Sequence, residues 1–329
     1  MVCARKRSRP VRPGVTTGFR LFDRDDAERD LPASLFDAID AAGGGIWWAG
    51  DHYADGATIV RRAREVATRA LVLDARDLSF LAQLPEVRYL YLRSDGRPVL
   101  DPVAALTELE ALLLGVGAIR GELDVFSLPR LRWLRLSLGG KGGRAVADRF
   151  AAGHDKLEWL SIQEVPFRTI ADAAPAFSRL RHLRLFFADH LRGPGDLSSL
   201  APTLRGLQLY LTGIRTLAGL EILDGLDALS VVGGKKIDLA PVGAMPSLRY
   251  LQAETGDGVS LEPLRNHPGL RMVSFSKVND PDLSILDTLR NLVAVGRGPR
   301  LEDPTRWPDI TSGGVDPLLA REWRRAIGG

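Results

Sequence analysis

Five histidines, one cysteine, two glycine-rich loops and a set of aromatic and arginine side chains are the residues whose chemistry could give this chain a function. The histidines are His52, His154, His182, His190 and His267. A zinc site is normally announced by ligands a helical turn apart, as in H-E-x-x-H, or by C-x-x-C pairs, and neither spacing occurs. Asp189-His190 near His182 is the one grouping that could be read as ligands. Cys3 lies in an N-terminal arm expected to be disordered, so a Cys-His nucleophile has no support. Gly139-Gly140-Lys141-Gly142-Gly143 has the glycines and lysine of a phosphate loop without the G-x-x-x-x-G-K-[ST] register. Gly43-Gly44-Gly45 reads as a helix C-cap running into a strand. Glu158 and Glu254 have no acid or base partner that sequence reveals. No residue is assigned a catalytic or metal-binding role, and no cofactor is implied.

The aromatic and arginine side chains carry a stronger signal because they fall at regular positions. Leu90, Leu112, Leu134, Leu160, Leu183, Leu207, Leu229, Leu251 and Val273 follow one another at intervals of 22, 22, 26, 23, 24, 22, 22 and 22 residues. Each is the central apolar residue of an L-x-x-L-x-L unit, for example Leu131-Leu134-Leu136 or Leu180-Leu183-Leu185. Weaker copies at Leu71 and at Leu289-Leu292-Ala294 extend the series at a spacing of 19, giving about eleven turns. Apolar and polar residues alternate within each unit, so each unit reads as a short strand. The following segment often has apolar residues three apart, as in Leu78-Leu81-Leu84, Leu100-Val103-Leu106 and Leu239-Val242-Met245, which suits a helical or 3₁₀ return. A single strand-and-return unit cannot bury its own apolar face, so the units must stack.

On these units the chain resembles the leucine-rich repeat family, most closely its 22-residue internalin-like class, over about residues 66 to 296. The resemblance implies an α/β solenoid, a curved horseshoe with a parallel β-sheet on the concave face and short helical or 3₁₀ segments on the convex face. The Asn ladder of that class is degenerate here. Five residues past the central apolar residue stand Asp95, Gly117, Gly139, Val165, Ala188, Thr212, Gly234, Gly256 and Val278. Glycine can make the turn but supplies no side-chain amide.

Outside the repeats, residues 1–18 read as a disordered basic arm, residues 19–69 as an N-terminal cap, 70–296 as the solenoid and 297–329 as a C-terminal cap. The first cap is expected to hold a helix over Pro32 to Ala42, a strand at Ile46-Trp47-Trp48 and an amphipathic helix with Ile59, Val60, Ala63 and Val66 inward. The second is expected to start on Asp316 and Pro317 and to bury Leu318, Leu319, Trp323 and Ile327.

Alternation predicts three columns of side chains on the concave wall. The first includes Tyr89, Trp133, Trp159, His182, Tyr250 and, at its end, Asn291; the second Tyr91, Arg135 and Arg184; the third Arg93, Phe186, Tyr210 and Glu254. Aromatic residues are 7% of the chain, so this concentration on a face expected to meet solvent points to recognition. Tyr, Trp and Arg carry most interface energy because they bury large areas with few lost rotamers and keep a polar handle. A groove gripping a protein or peptide partner is the expected function, with the arginines stacking on rings or clamping a carboxylate or phosphate. The alternative is that the rings pack on one another across strands. An unconventional enzyme using the groove as a substrate cradle and a bacterial immunity or regulatory factor are the rival readings; the first predicts turnover and a deep pocket holding His182 or perturbed acids.

Composition bounds the rest. The net charge of +3 implies no whole-molecule nucleic-acid field, so a nucleic-acid partner ranks third. No run of about twenty apolar residues could span a bilayer, a single cysteine precludes an intrachain disulfide, and the Met1 to Arg7 start lacks an apolar signal core; a cytoplasmic location is expected. The preference for arginine over lysine, with abundant Ala and Gly, suggests a GC-rich bacterial genome.

Overall fold

The computed structural model describes residues 20–21, 31–42, 45–49, 55–75, 77–93, 98–115, 121, 124–137, 153–174, 176–234, 237–279, 283–297 and 317–328. The basic arm, Cys3, His52, the Gly139–Gly143 loop and Asp316 lie outside them. The described strands are β1 (Arg20–Leu21), β2 (Ile46–Ala49), β3 (Ala70–Leu73), β4 (Tyr89–Leu92), β5 (Ala111–Leu114), β6 (Trp133–Ser137), β7 (Trp159–Gln163), β8 (His182–Phe186), β9 (Gly206–Tyr210), β10 (Ala228–Val232), β11 (Tyr250–Glu254), β12 (Met272–Phe275) and β13 (Ala294–Arg297). They form one sheet in strictly sequential order, with β1 antiparallel to β2 and every later neighbour parallel.

The order follows from the repeat. Each return segment is short, many of them single 3₁₀ turns such as Ser79–Gln83, Asp101–Ala105 and Leu220–Ile222, and it can only deliver the chain to the adjacent strand position. The central residues align as the spacing requires, Leu112 beside Leu134, Leu134 beside Leu160 and Leu229 beside Leu251. With the 3₁₀ residues they build one continuous apolar core in which most side chains are fully sealed. At the carboxyl end the register corrects the sequence reading. Val295, not Leu292, pairs with Val273, so the last interval is again 22 rather than 19. Ala294 therefore takes the first-column place expected for Asn291.

Two of the five histidines belong to this scaffold. His154 Nε2 meets the Leu128 carbonyl at 3.0 Å and His267 Nε2 meets that of Met245 at 3.0 Å, while each Nδ1 lies within reach of backbone N–H groups just downstream. Both rings thus tie one turn of the stack to the turn before it, and both precede a core leucine by three residues, Leu157 and Leu270.

Three helices of more than a single turn's length complete the description: α1 (Ala33–Ala41), α2 (Gly56–Glu65) and α3 (Pro317–Gly328). Helix α2 starts at Asp55, whose side chain accepts the Thr58 N–H at 2.7 Å, and turns Ile59, Val60 and Ala63 onto the core beside β2 and β3. Val66, expected inward, is exposed.

Candidate functional site

The three columns exist as read, except that Ala294 ends the first in place of Asn291. Tyr91, Leu113, Arg135, Ser161, Arg184, Gln208, Ser230, Gln252 and Ser274 stand side by side on successive strands, with the first and third columns to either side. Their exposure is not as expected. Tyr89, Trp133, Trp159 and Tyr250 are 5%, 1%, 1% and 5% exposed, so the first column is a buried layer rather than an open wall.

Helices α1 and α3 lie across it. Leu35, Phe36 and Ile39 of α1 pack with Tyr89, Ala111, Leu113, Trp133 and Trp159. Trp133 Nε1 donates to Ser34 Oγ at 3.1 Å, which supplies the partner a buried indole N–H requires. Helix α3 places Trp323, with Leu319, Ala326 and Ile327 beside it, on Ala228, Tyr250, Met272 and Ala294. Leu318, expected on that stripe, is 74% exposed, because the buried face is the one carrying Leu319, Trp323 and Ile327. The last turn of α3 reaches Trp159, whose Nε1 donates to the Gly328 carbonyl at 3.3 Å. Arg325 of α3 pairs with Asp37 of α1 at 3.2 Å, so the two helices meet over the middle of the sheet.

The polar contacts of α3 converge on Glu322. Its carboxylate accepts the Tyr250 hydroxyl at 2.6 Å and the Arg271 guanidinium through Nε at 2.7 Å and Nη2 at 3.3 Å. Burial first and this carboxylate second push the Tyr250 hydroxyl up to about 12, while the Arg271 hydrogen bond holds Glu322 below the usual carboxylate range. His182 lies between Trp159 and Gly206 in the first column. Gly206 is required there, since any Cβ would run into the imidazole. Burial, then the neighbouring Arg181 and Arg184 charges, lower His182 to about 4, so the ring is neutral at pH 7.

Of the middle and third columns of β6 to β9, Arg135, Gln163, Phe186, Gln208 and Tyr210 are half-buried, whereas Ser137, Ser161 and Arg184, expected on the open wall, are buried, Arg184 to 8% exposure. Arg184 Nε donates to Gln208 Oε1 at 2.5 Å, and its guanidinium lies 5.5 Å from the Trp159 ring centroid and 5.0 Å from that of Phe186. Arg135 is half-buried, and its Nε and Nη1 have no hydrogen-bond partner among the described residues. Tyr91, Phe186 and Tyr210 are half-buried and Arg93 is exposed. Farther along, Ser230 donates to Gln252 at 2.8 Å, and Gln252 and Ser274 donate to Glu254 at 2.8 and 3.1 Å, so Glu254 is held in a polar chain across the strands.

Sequence reasoning missed two residues at the strand ends. Glu164, Phe187, Leu211 and Gly233 each follow a strand directly and have φ of 56°, 52°, 49° and 82°. The left-handed turn therefore falls four residues past the central apolar residue, one earlier than the ladder position. Phe187 and Leu211 are 49% and 41% exposed, and their neighbours Phe186 and Tyr210 stack at 5.5 Å between ring centroids. Phe187 meets Tyr210 edge-on at 6.2 Å. The available signal was the doubled apolar pair, Phe186-Phe187 and Tyr210-Leu211, where a turn usually takes Gly, Asn or Asp.

A sheet of one strand per repeat, stacked in sequence order with short returns, several of them 3₁₀ turns among the described residues, makes the chain a leucine-rich repeat solenoid of α/β class. Among solved structures it is similar to an internalin of Listeria monocytogenes, with a TM-score of 0.42 and 16% sequence identity over 67% of this chain and 76% of that one. No family model and no curated protein matches the chain. Among the described residues no helix is long and apolar enough to cross a membrane, and no three His, Cys, Asp or Glu side chains come together as metal ligands.

Proposed function

We propose that the chain is a non-catalytic platform for a protein or peptide, contacting it through the open part of the sheet face and the adjoining strand ends rather than through the covered first column. The observation that carries this reading is the pair Phe187 and Leu211. A bulky residue held at positive φ costs about 1–2 kcal/mol relative to the ordinary conformation, and apolar side chains left 49% and 41% exposed recover only part of it by burial. Folding does not require either residue type there, since Gly233 makes the same turn on the next strand. Together with Phe186 and Tyr210 they form an apolar patch over β8 and β9, packed on the buried Arg184, with the half-buried Arg135 two strands away, on the order of 10 Å. The partner this suits is a segment with a large apolar side chain for the patch. Assignment of the repeats to the 22-residue internalin-like class belongs to the same reading.

Selection of peptides from a random displayed library against the intact chain tests it. Replacing Phe187→Gly together with Leu211→Gly removes the patch and relaxes both turns, so selected peptides should weaken at least tenfold while the thermal midpoint stays or rises. Peptides that bind the double variant as tightly as the parent overturn the reading.

A further inference from the structure

At the opposite edge of the same sheet, where the strands begin, the residue before each first-column position forms a row of charges: Arg88, Glu110, Arg132, Glu158, Arg181, Arg205, Asp227, Arg249 and Arg271. Neighbours in this row are one strand spacing apart, about 4.8 Å, close enough for each sign to matter to the next. From β4 to β7 the signs alternate. Glu110 takes Arg88 and lies 3.8 Å from Arg132, and Arg132 makes two bonds of 3.1 Å to Glu158. Asp227 lies 3.8 Å from Arg249.

The alternation fails twice, at Arg181 followed by Arg205 and at Arg249 followed by Arg271. The second break is filled, because α3 brings Glu322 to Arg271 at 2.7 Å. At the first break no carboxylate of the described residues is within ion-pair distance of Arg181 or Arg205. A cavity of about 540 Å³ opens there instead, lined by both arginines together with Arg179, Ser178 and Thr203. Glu158 also lines it but is already engaged in both of its oxygens by Arg132. Arg205 is fixed by the carbonyls of Leu204, Gly225 and Pro202, which orient the guanidinium without neutralising it. Thr203 Oγ1 is buried against the same cavity with no hydrogen-bond partner, a hydroxyl whose desolvation nothing in the described structure compensates.

We propose that this cavity binds a phosphate monoester, whose dianion completes the row where Arg181 and Arg205 stand together. Among the described residues Arg179 and Arg181 have no acid within ion-pair distance, and Asp227, which feels the Arg205 charge, is shared with Arg249 at 3.8 Å, so the excess of positive charge is more than one carboxylate would balance, whereas Glu322 suffices at the other break, where one arginine is unmatched. Forked guanidinium donors and two hydroxyls match the several acceptor oxygens of a phosphoryl group. The volume lies within the ~300–1,000 Å³ of ligand sites, so it has room for the group that carries the phosphate. The site is at the strand starts and the apolar patch at the strand ends, so the proposal stands independently of the peptide-binding reading.

Calorimetric titration of the full chain with inorganic phosphate, O-phosphoserine, phenyl phosphate and citrate tests it. Both monoesters should bind saturably and at least as tightly as inorganic phosphate, with citrate at least tenfold weaker. Arg179→Gln with Arg181→Gln, both solvent-exposed and outside the packed core, should weaken the monoesters at least tenfold with an unchanged thermal midpoint. His182 reports location, because an anion on Arg181 offsets one of the charges that depress it; its proton resonance in NMR titration should shift to a higher apparent pKa when phenyl phosphate is bound. Absence of saturable monoester binding, equal binding by the variant, citrate as tight as the monoesters, or an unmoved His182 each overturns the proposal. Inorganic phosphate tighter than both esters would do the same, since it would leave the rest of the cavity without an occupant.

Discussion

Helices α1 and α3 cover the same column of the same sheet by different physics. Under α1 the contact is apolar: Leu35, Phe36 and Ile39 are 1%, 2% and 4% exposed, and they seal Trp133 and most of Trp159. Of α3 itself only Trp323 is buried, at 9%, on a small apolar seat of Ala228, Tyr250, Met272 and Ala294, and the polar part of the contact is organised by the Glu322 carboxylate on Tyr250 and Arg271. An apolar seat scales with area and is indifferent to pH and salt, whereas a half-exposed charged clasp depends on both. The two helices should therefore differ in how readily they leave the sheet.

The largest effect is expected from truncating the two tryptophans. Trp133→Ala empties a sealed site under α1 and should cost about 3–5 kcal/mol of global stability in urea unfolding, with the indole's bond to Ser34 lost as well. Trp323→Ala should shift the global transition much less, because α3 carries no strand pairing and can come away as a unit, which caps the loss at its own docking energy. Amide exchange should then show α3 unprotected and α1 intact. Equal shifts in the global transition for the two variants would break the distinction.

Acid should separate the two halves next. His182 is lowered from 6.5 to about 4, so between those values the unfolded chain holds more protons than the native one. Stability is therefore fully present above pH 6.5 and falls as the pH drops toward 4, by at most about 3 kcal/mol. Glu322 is also depressed, so its contribution is present above 4.5 and lost as the pH falls further. Glu322 is on α3, and His182 stands between Trp159, which the last turn of α3 reaches, and Gly206 on β9, a strand α3 contacts. Under α1 the shifted group is Tyr89, raised from 10 by burial and then by Glu110, away from the acid range. Exchange protection measured at pH 7 and pH 4.5 should fall for α3 and hold for α1; equal loss would show that His182 is not sheltered by α3.

Much of this was legible in the residues, and what was not has a common cause. The repeat length fixes which residues share a column, because register in a parallel stack follows from spacing alone, and the pairing of Leu71, Leu112 and Leu229 with their neighbours needs nothing else. Exposure of those columns depends on what lands on them. The partners of Trp133 and Trp159 lie 99 and 169 residues away in sequence, and no local pattern says whether a terminal helix closes the end of a stack or folds across its sheet. The same rings thus satisfy the recognition pattern and the core pattern equally. Leu292 was misplaced for a different reason: Leu289-Leu292-Ala294 imitates the unit, while the true strand runs Ala294 to Arg297 with Val295 inward.

Glu322→Gln should have a moderate effect confined to α3. It keeps the shape of the clasp and removes its charge, so about 1–3 kcal/mol of docking should be lost and the Tyr250 hydroxyl should titrate below its present value of about 12. Ultraviolet titration of tyrosinate reads this directly. An unmoved Tyr250 would mean that burial alone sets it and that the clasp contributes little to holding α3.

The smallest effect is expected where the two helices touch. Arg325 and Asp37 are 46% and 56% exposed, and an ion pair so open to water is worth roughly 0–1 kcal/mol and fades with salt. Arg325→Ala should accordingly move the urea midpoint within about 0.5 kcal/mol at low salt and not at all at 0.5 M, on the order of a 4 Å screening length. The value of the measurement lies in its sign for the comparison. If the halves are held separately, one by area and one by charge, cutting the pair leaves α1 exchange unchanged. If instead α1 loses protection together with α3, the pair couples the two covers, and the sheet face opens as one unit rather than from the α3 side first.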